Sequence, residues 1–218
     1  MRKIFGHRGL PRIYKENTFT GINKAYEHCD FVEIDVRLTG DNQLILHHDP
    51  NIGEDLIKNL SLSELDILMK DGSIHDSILV SRDQIHGQVN FEIKTDTLDD
   101  SEVDILFQKM LSIFEPGDIV SSFNWKAIQS FKNLFNCNYG IIFDKEEDLF
   151  EAQALSNHDE ELFFMTHFSL IDSRNFSLPK NKTVLWTVNN EDDFQRYMDM
   201  EIYGIVTDIP DTMQLYRK

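Results

Sequence analysis

The sequence has 218 residues, a formal net charge of -17 and a hydrophobic share of 41%, which is enough apolar material for a substantial core. The acidic balance argues against nucleic-acid binding, because a nucleic-acid interface carries clustered basic residues. Cys29 and Cys137 lie in separate apolar segments without CxxC spacing, so we predict neither a disulfide framework nor a zinc site and expect a cytoplasmic location. We also expect no membrane insertion, because no apolar run approaches the roughly 20 residues that span a bilayer.

Short apolar runs recur along the chain, and each is too short for a helix. They lie at residues 3–7, 31–36, 88–94, 118–123, 139–143, 162–168, 183–188 and 203–208. Helical patterns lie between most of them, one with Asn17 or Thr18 as its cap and one with a Ser61 to Glu64 capping box. This alternation favours an α/β fold, a compact (β/α)8 TIM barrel in a single domain over residues 1–218, rather than a doubly wound sheet.

The stretch after the second barrel strand departs from this alternation. Gly40-Asp41-Asn42 is a turn signal, and LILHHD at residues 44–49 has the composition of a second short strand. We therefore predict a short hairpin that extends strand 2. Residues 50–87 then form the longest stretch between barrel strands, in which we predict one helix.

Charged side chains end the first three barrel strands: His7 and Arg8 on strand 1, Glu33 and Asp35 on strand 2, and Glu92 and Lys94 on strand 3. Taken alone, Glu33 and Asp35 could be solvent-facing edge residues. Glu92 and Lys94 alone could be a strand-end ion pair. Together they favour an active site, because barrel enzymes keep their chemistry at the C-terminal strand ends. Three buried carboxylates need compensating charge, and an all-oxygen set suits one Mg²⁺ or Ca²⁺.

Two histidine positions accompany these acids. His7 is one of them, and the other is either His47 or His48, which strand alternation places on opposite faces. The residues alone leave that choice open. Glu16 is expected to tie the first loop to the cationic groups of the site.

Short motifs in this chain resemble, in order, those of the glycerophosphodiester phosphodiesterases: HRG (7–9), ENT (16–18), ExD (33 and 35), TGD (39–41), HD (48–49), ExK (92 and 94), SF (122–123), WTVN (186–189) and VTD (206–208). The resemblance implies a barrel that hydrolyses glycerophosphodiesters to sn-glycerol 3-phosphate and an alcohol with one divalent cation. By position, it implies that Glu33, Asp35 and Glu92 bind the metal. It also implies that His7 and His48 act as acid and base, that Arg8 and Lys94 hold the phosphate, and that Trp186 lines the substrate pocket.

The chain departs from the family pattern in two places. Lys15 stands where the family usually has proline, and PNIGEDLIKNL at residues 50–60 replaces an Arg-Thr-rich stretch and a larger insertion. The second change shortens the part of the pocket that would choose the alcohol. Two alternatives therefore remain open: a related barrel phosphodiesterase that acts on lysophospholipids, and a catalytically silent barrel that binds a glycerol phosphate compound.

Overall fold

The computed structural model describes residues 2–217. Its strands are β1 (Lys3–His7), β2 (Phe31–Leu38), β3 (Leu44–Leu46), β4 (Asn51–Ile52), β5 (Asp55–Leu56), β6 (Gln88–Ile93), β7 (Ile119–Ser122), β8 (Asn138–Phe143), β9 (Phe163–His167), β10 (Thr183–Trp186) and β11 (Gly204–Thr207). Its α-helices are α1 (Phe19–Ala25), α2 (Leu62–Leu68), α3 (Asp100–Met110), α4 (Trp125–Phe131), α5 (Leu149–Ser156), α6 (Glu191–Met198) and α7 (Pro210–Met213). Each apolar run predicted to be a barrel strand overlaps one.

Within residues 2–217, eight parallel strands close into a barrel in the order β1, β2, β6, β7, β8, β9, β10 and β11, and β11 pairs back with β1. The predicted (β/α)8 fold is thus confirmed. The antiparallel strand β3 pairs with β2, with Val36 opposite Leu46, so the predicted hairpin is also present. Its second strand stops at Leu46 and leaves His47 and His48 in irregular backbone.

The lower half of the barrel interior is apolar. Phe5 and Phe31 stack there with ring centroids 4.6 Å apart, and they pack with Ile119, Ile142, Met165, Val184 and Val206. Burial of each such side chain contributes about 1.5–3 kcal/mol. Because side chains two positions apart in a strand share a face, His7 and Glu33 lie directly above Phe5 and Phe31.

Residues 50–87 carry their own small core. Ile45, Ile57, Leu65 and Ile74 form a buried cluster, which attaches this segment to β3. Helix α2 begins with the predicted capping box between Ser61 and Glu64. None of the helices in residues 2–217 has the length and apolar character needed to cross a membrane.

Candidate active site

Three carboxylates meet at the C-terminal end of the barrel. In the register of β2 and β6, Asp35 lies opposite Glu92, and Glu33 lies two residues earlier on the same face as Asp35. One oxygen from each of Glu33, Asp35 and Glu92 lies within 4.8 Å of the others. Glu33 Oε1 is buried and accepts no hydrogen bond. A compact oxygen cluster with an unused buried acceptor fits one hard divalent cation such as Mg²⁺ or Ca²⁺.

The positive charge around the cluster balances these acids only in part. Burial, together with the charge of Asp35, raises the pKa of Glu33 to about 8. Burial also raises the pKa of Glu92, although Lys94 acts in the opposite direction. Burial by itself would raise the pKa of Asp35 as well, but Lys94 and Arg8 hold that pKa below its ordinary value. The site can therefore accept further positive charge.

Two cations border the carboxylates. Lys94 Nζ lies 2.9 Å from Asp35 Oδ1 and also contacts Glu92 Oε1. Arg8 Nε lies 3.3 Å from Asp35 Oδ2, and its Nη1 donates to both oxygens of Glu16 at 3.2 Å. Glu16 therefore contacts a cation of the site, as expected from the sequence. Arg8 and Lys94 both face the cavity into which a substrate anion would enter.

The loop after β1 is fitted to the acid cluster by its backbone. Arg8 has a left-handed φ of 54°, which costs a residue other than glycine about 1–2 kcal/mol. Its amide donates to Glu33 Oε2 at 3.1 Å, and its carbonyl accepts from the Asn17 amide at 3.0 Å. The Asn17 side chain in turn donates to Asp35 Oδ2 at 2.8 Å and accepts from the Asp35 amide at 3.1 Å. These bonds offset the strain and orient Asp35.

His7 lies opposite Glu33 in the pairing of β1 with β2. Its Nε2 is 3.8 Å from Glu33 Oε2, and its Nδ1 is 2.6 Å from Asp208 Oδ1. Burial lowers the pKa of His7, but the hydrogen bond to Asp208 and the charge of Glu33 outweigh it and raise the pKa above its ordinary value. The VTD motif assigns no role to Asp208 by itself, and the contact with His7 appears only in the structure.

His48 borders the acid cluster, whereas His47 does not. His48 lines the cavity together with Glu92 and Lys94, and its Nδ1 lies 2.7 Å from Asp49 Oδ1. His47 lines a separate surface pocket beside Lys15. The structure thus brings His48, the histidine of the HD motif, to the site.

A buried arginine holds the backbone of His48. Arg37 donates to the His48 carbonyl through Nε at 2.9 Å and through Nη2 at 2.5 Å. The same guanidinium contacts Asp96 at 2.7 Å and 3.3 Å. Sequence reasoning missed this brace of Arg37 and Asp96. The available signal was a charged residue inside the apolar strand β2, between Val36 and Leu38.

Two cavities adjoin at the barrel mouth among the described residues. The smaller has a volume of about 170 Å³ and includes His7, Glu33 and Trp186 in its lining. The larger has a volume of about 520 Å³ and extends toward Arg37 and Asp96. The two share a wall formed by His48, Glu92, Lys94 and Phe123.

Aromatic side chains form the far side of the smaller cavity. Trp186 Nε1 donates to the Met165 carbonyl at 2.9 Å, which fixes the indole ring. The edges of Phe123 and His167 meet Trp186 at centroid distances of 5.9 Å and 5.6 Å. His167 was not identified from the sequence, although it ends β9 as His7 ends β1.

The structure places every predicted site residue at this end of the barrel. Seven of them line the smaller cavity: His7, Arg8, Glu33, His48, Glu92, Lys94 and Trp186. The eighth, Asp35, lies behind them in contact with Arg8 and Lys94. Such a constellation of acid–base, cationic and cation-binding groups suits the chemistry of a phosphate ester.

A family model described as the glycerophosphoryl diester phosphodiesterase family matches residues 7–212. The chain belongs to this family. It is therefore classed with the glycerophosphodiester phosphodiesterases, which are phosphoric diester hydrolases. A glycerophosphodiester phosphodiesterase of Caldanaerobacter subterraneus subsp. tengcongensis is 27% identical, over 99% of this chain and 98% of that protein.

Solved structures share the fold of this family member. The glycerophosphodiester phosphodiesterase of Thermotoga maritima superposes with a TM-score of 0.76 at 23% identity, over 100% of this chain and 99% of that one. An Oleispira antarctica phosphodiesterase, solved in complex with the product sn-glycerol-3-phosphate, superposes with a TM-score of 0.77 at 20% identity, over 99% and 96% of the two chains. The barrel is thus shared along its whole length.

Proposed function

We propose that this chain is a single-domain, cytoplasmic enzyme that hydrolyses glycerophosphodiesters to sn-glycerol 3-phosphate and an alcohol, with one divalent cation, Mg²⁺ or Ca²⁺. The observation that carries the proposal is the cluster of Glu33, Asp35 and Glu92 beside two histidines at the barrel mouth. The product complex of the Oleispira antarctica relative supports the same chemistry. Cys29 and Cys137 are free thiols, which suits a reducing compartment.

The charges of the site suit a phosphodiester anion. The three carboxylates exceed Arg8 and Lys94 by one negative charge. A divalent cation and a singly charged diester together bring the set to neutrality, so cation and substrate favour each other's binding. The cation, held by the three carboxylates, would supply Lewis-acid polarisation of the phosphate oxygens. Arg8 and Lys94 would add positive charge on the non-bridging oxygens, where a diester otherwise repels nucleophiles.

The two histidines would move protons at opposite ends of the displacement. One takes a proton from the attacking oxygen while the other donates a proton to the leaving alcohol. His7 and His48 each engage a carboxylate through Nδ1. Their Nε2 atoms are therefore the ring atoms left for proton transfer to or from the substrate. Trp186 would form the wall against which the substrate packs.

The lining of the larger cavity favours a water-soluble diester over a lysophospholipid. Its polar members are Arg37, His48, Glu92, Lys94, Thr95, Asp96, Ser122 and Asn124, against the apolar Pro50, Ile93 and Phe123. An acyl chain placed in this cavity would remove water from Lys94 and from the ion pair of Arg37 and Asp96, and the desolvation of charged groups costs free energy. A silent binding barrel would have no need for two histidines beside a cation site, so catalysis is the better account of their arrangement.

The test is release of sn-glycerol 3-phosphate from purified protein. A panel of glycerophosphodiesters, with lysophospholipids of the same headgroups beside them, is incubated with Mg²⁺ or with Ca²⁺. We expect multiple turnovers on the soluble diesters, loss of activity with a chelator, and loss in the His7→Ala variant. Activity that persists in chelator would remove the cation from the proposal. Binding of the diesters without turnover under both cations would establish the silent barrel instead.

A further inference from the structure

Two residues of the WTVN and VTD motifs have no part in the chemistry described so far. Asn189 follows β10 and Asp208 follows β11, so both lie at the barrel mouth beside β1. Asp208 Oδ1 is 2.6 Å from His7 Nδ1, and Asp208 Oδ2 accepts from Asn189 Nδ2 at 2.5 Å. We call this series of hydrogen bonds, Asn189 to Asp208 to His7, the His7 relay.

The direction of each bond in the His7 relay is fixed. Asn189 Oδ1 accepts from the Asp208 backbone amide at 2.8 Å and from Thr207 Oγ1 at 3.1 Å. Its amide nitrogen must therefore be the atom that faces Asp208. A carboxylate only accepts hydrogen bonds, so Asp208 Oδ1 requires a proton on His7 Nδ1. In the neutral ring this leaves Nε2 unprotonated, and Nε2 is the atom on the side of Glu33.

We infer that Asp208 and Asn189 are positioning residues that hold His7 in the Nδ1-protonated tautomer and aim its Nε2 into the active site. The inference rests on the proposed function, in which His7 transfers a proton at Nε2. A partner that fixes tautomer and ring orientation is a recurring support of catalytic histidines. The partner of His48 is less constrained, because the Asp49 side chain is 73% exposed and adjoins His48 in sequence.

The relay makes a prediction that a merely structural contact does not. In Asp208→Asn, a new amide of the same shape must place its nitrogen against either Asn189 Nδ2 or His7 Nδ1. The first arrangement opposes two donors, and the second forces His7 into the Nε2-protonated tautomer. The exchange variant Asp208→Asn/Asn189→Asp removes this conflict. Its carboxylate at position 189 accepts from the new amide and frees the amide oxygen to accept from His7 Nδ1 again.

The experiment compares wild type, Asp208→Asn, the exchange variant and Asp144→Asn, which removes an exposed carboxylate at the barrel mouth. Release of sn-glycerol 3-phosphate is followed with saturating divalent cation, and long-range ¹H–¹⁵N correlation spectra report the His7 tautomer. We expect kcat of Asp208→Asn to fall about 10²-fold, with KM changed less than about threefold. We expect kcat of the exchange variant to be at least tenfold higher than that of Asp208→Asn. We expect kcat of Asp144→Asn to match wild type.

The spectra should show an Nδ1-protonated ring in wild type and in the exchange variant, and an Nε2-protonated ring in Asp208→Asn. Wild-type kcat in Asp208→Asn, or an unchanged tautomer there, would overturn the inference. An exchange variant that melts like wild type but stays as slow as the single variant would overturn it too. A wild-type protein that released no sn-glycerol 3-phosphate would refute the proposed function alone, since the tautomer spectra decide the relay without any turnover.

Discussion

Substitution of Arg37 tests whether the active site depends on a residue that takes no part in the proton transfer itself. The Arg37 side chain is 6% exposed. Arg37→Met keeps the length of this side chain and removes the guanidinium. The partly buried carbonyl of His48 loses these two donors, at a cost of about 1–3 kcal/mol. Asp96 is 52% exposed and regains water, so its lost ion pair adds at most about 1 kcal/mol. The sum is roughly 1–4 kcal/mol.

For a chain of this size, each 1 kcal/mol lowers Tm by about 2–4 °C, so Arg37→Met should melt about 2–16 °C below wild type. Its kcat should fall roughly tenfold to a hundredfold, because freeing the His48 backbone misplaces a proton-transfer group. Calorimetry and steady-state release of sn-glycerol 3-phosphate, assayed well below the variant's Tm, measure the two effects. Asp96→Asn is the matched control, because it leaves both bonds to the His48 carbonyl in place. Wild-type kcat in a destabilised Arg37→Met protein would refute a positioning role for Arg37.

Three further predictions concern proton transfer, cation binding and pH. His48→Ala should lower turnover by about 10²-fold or more while His47→Ala stays within about threefold of wild type, and equal losses in the two would contradict the assignment of His48. In thermal melts, a divalent cation at about 100 times its Kd should stabilise wild type by about 2.7 kcal/mol. Asp35→Asn should lose this stabilisation. Equal stabilisation of that variant by the cation would place the cation site elsewhere. Burial raises the pKa of Asp159, but hydrogen bonds from Tyr139 and Lys132 outweigh it and hold the pKa below its ordinary value. Ionised Asp159 therefore stabilises the fold above about pH 4, and this stabilisation is lost as pH falls through the folded-state pKa. Asp159→Asn should be less stable than wild type at pH 7, and the two proteins should become equally stable in acid. A stability difference that widened in acid would contradict this.

Much of the site could be predicted because strand geometry is local. Glu33 and Asp35 share a face because side chains alternate along β2, and parallel strands bring their carboxyl ends to one rim. The eight apolar runs and their helical spacers define the barrel without any knowledge of contacts. The choice between His47 and His48 was of another kind. Strand β3 ends at Leu46, so alternation no longer applies to the two histidines, and only family resemblance indicated His48 in advance.

The sequence by itself determined the fold, the rim on which the chemistry lies, and the residue types gathered there, since each follows from periodicity over a few residues. Only the tertiary structure decided which partners hold those residues in place. His7 and Asp208 are separated by 201 positions, and Arg37 and Asp96 by 59. Barrel closure joins β11 to β1, and the register of β2 with β6 brings the following loops together. No local pattern encodes such distances, because they depend on how many residues each crossover contains and where it returns.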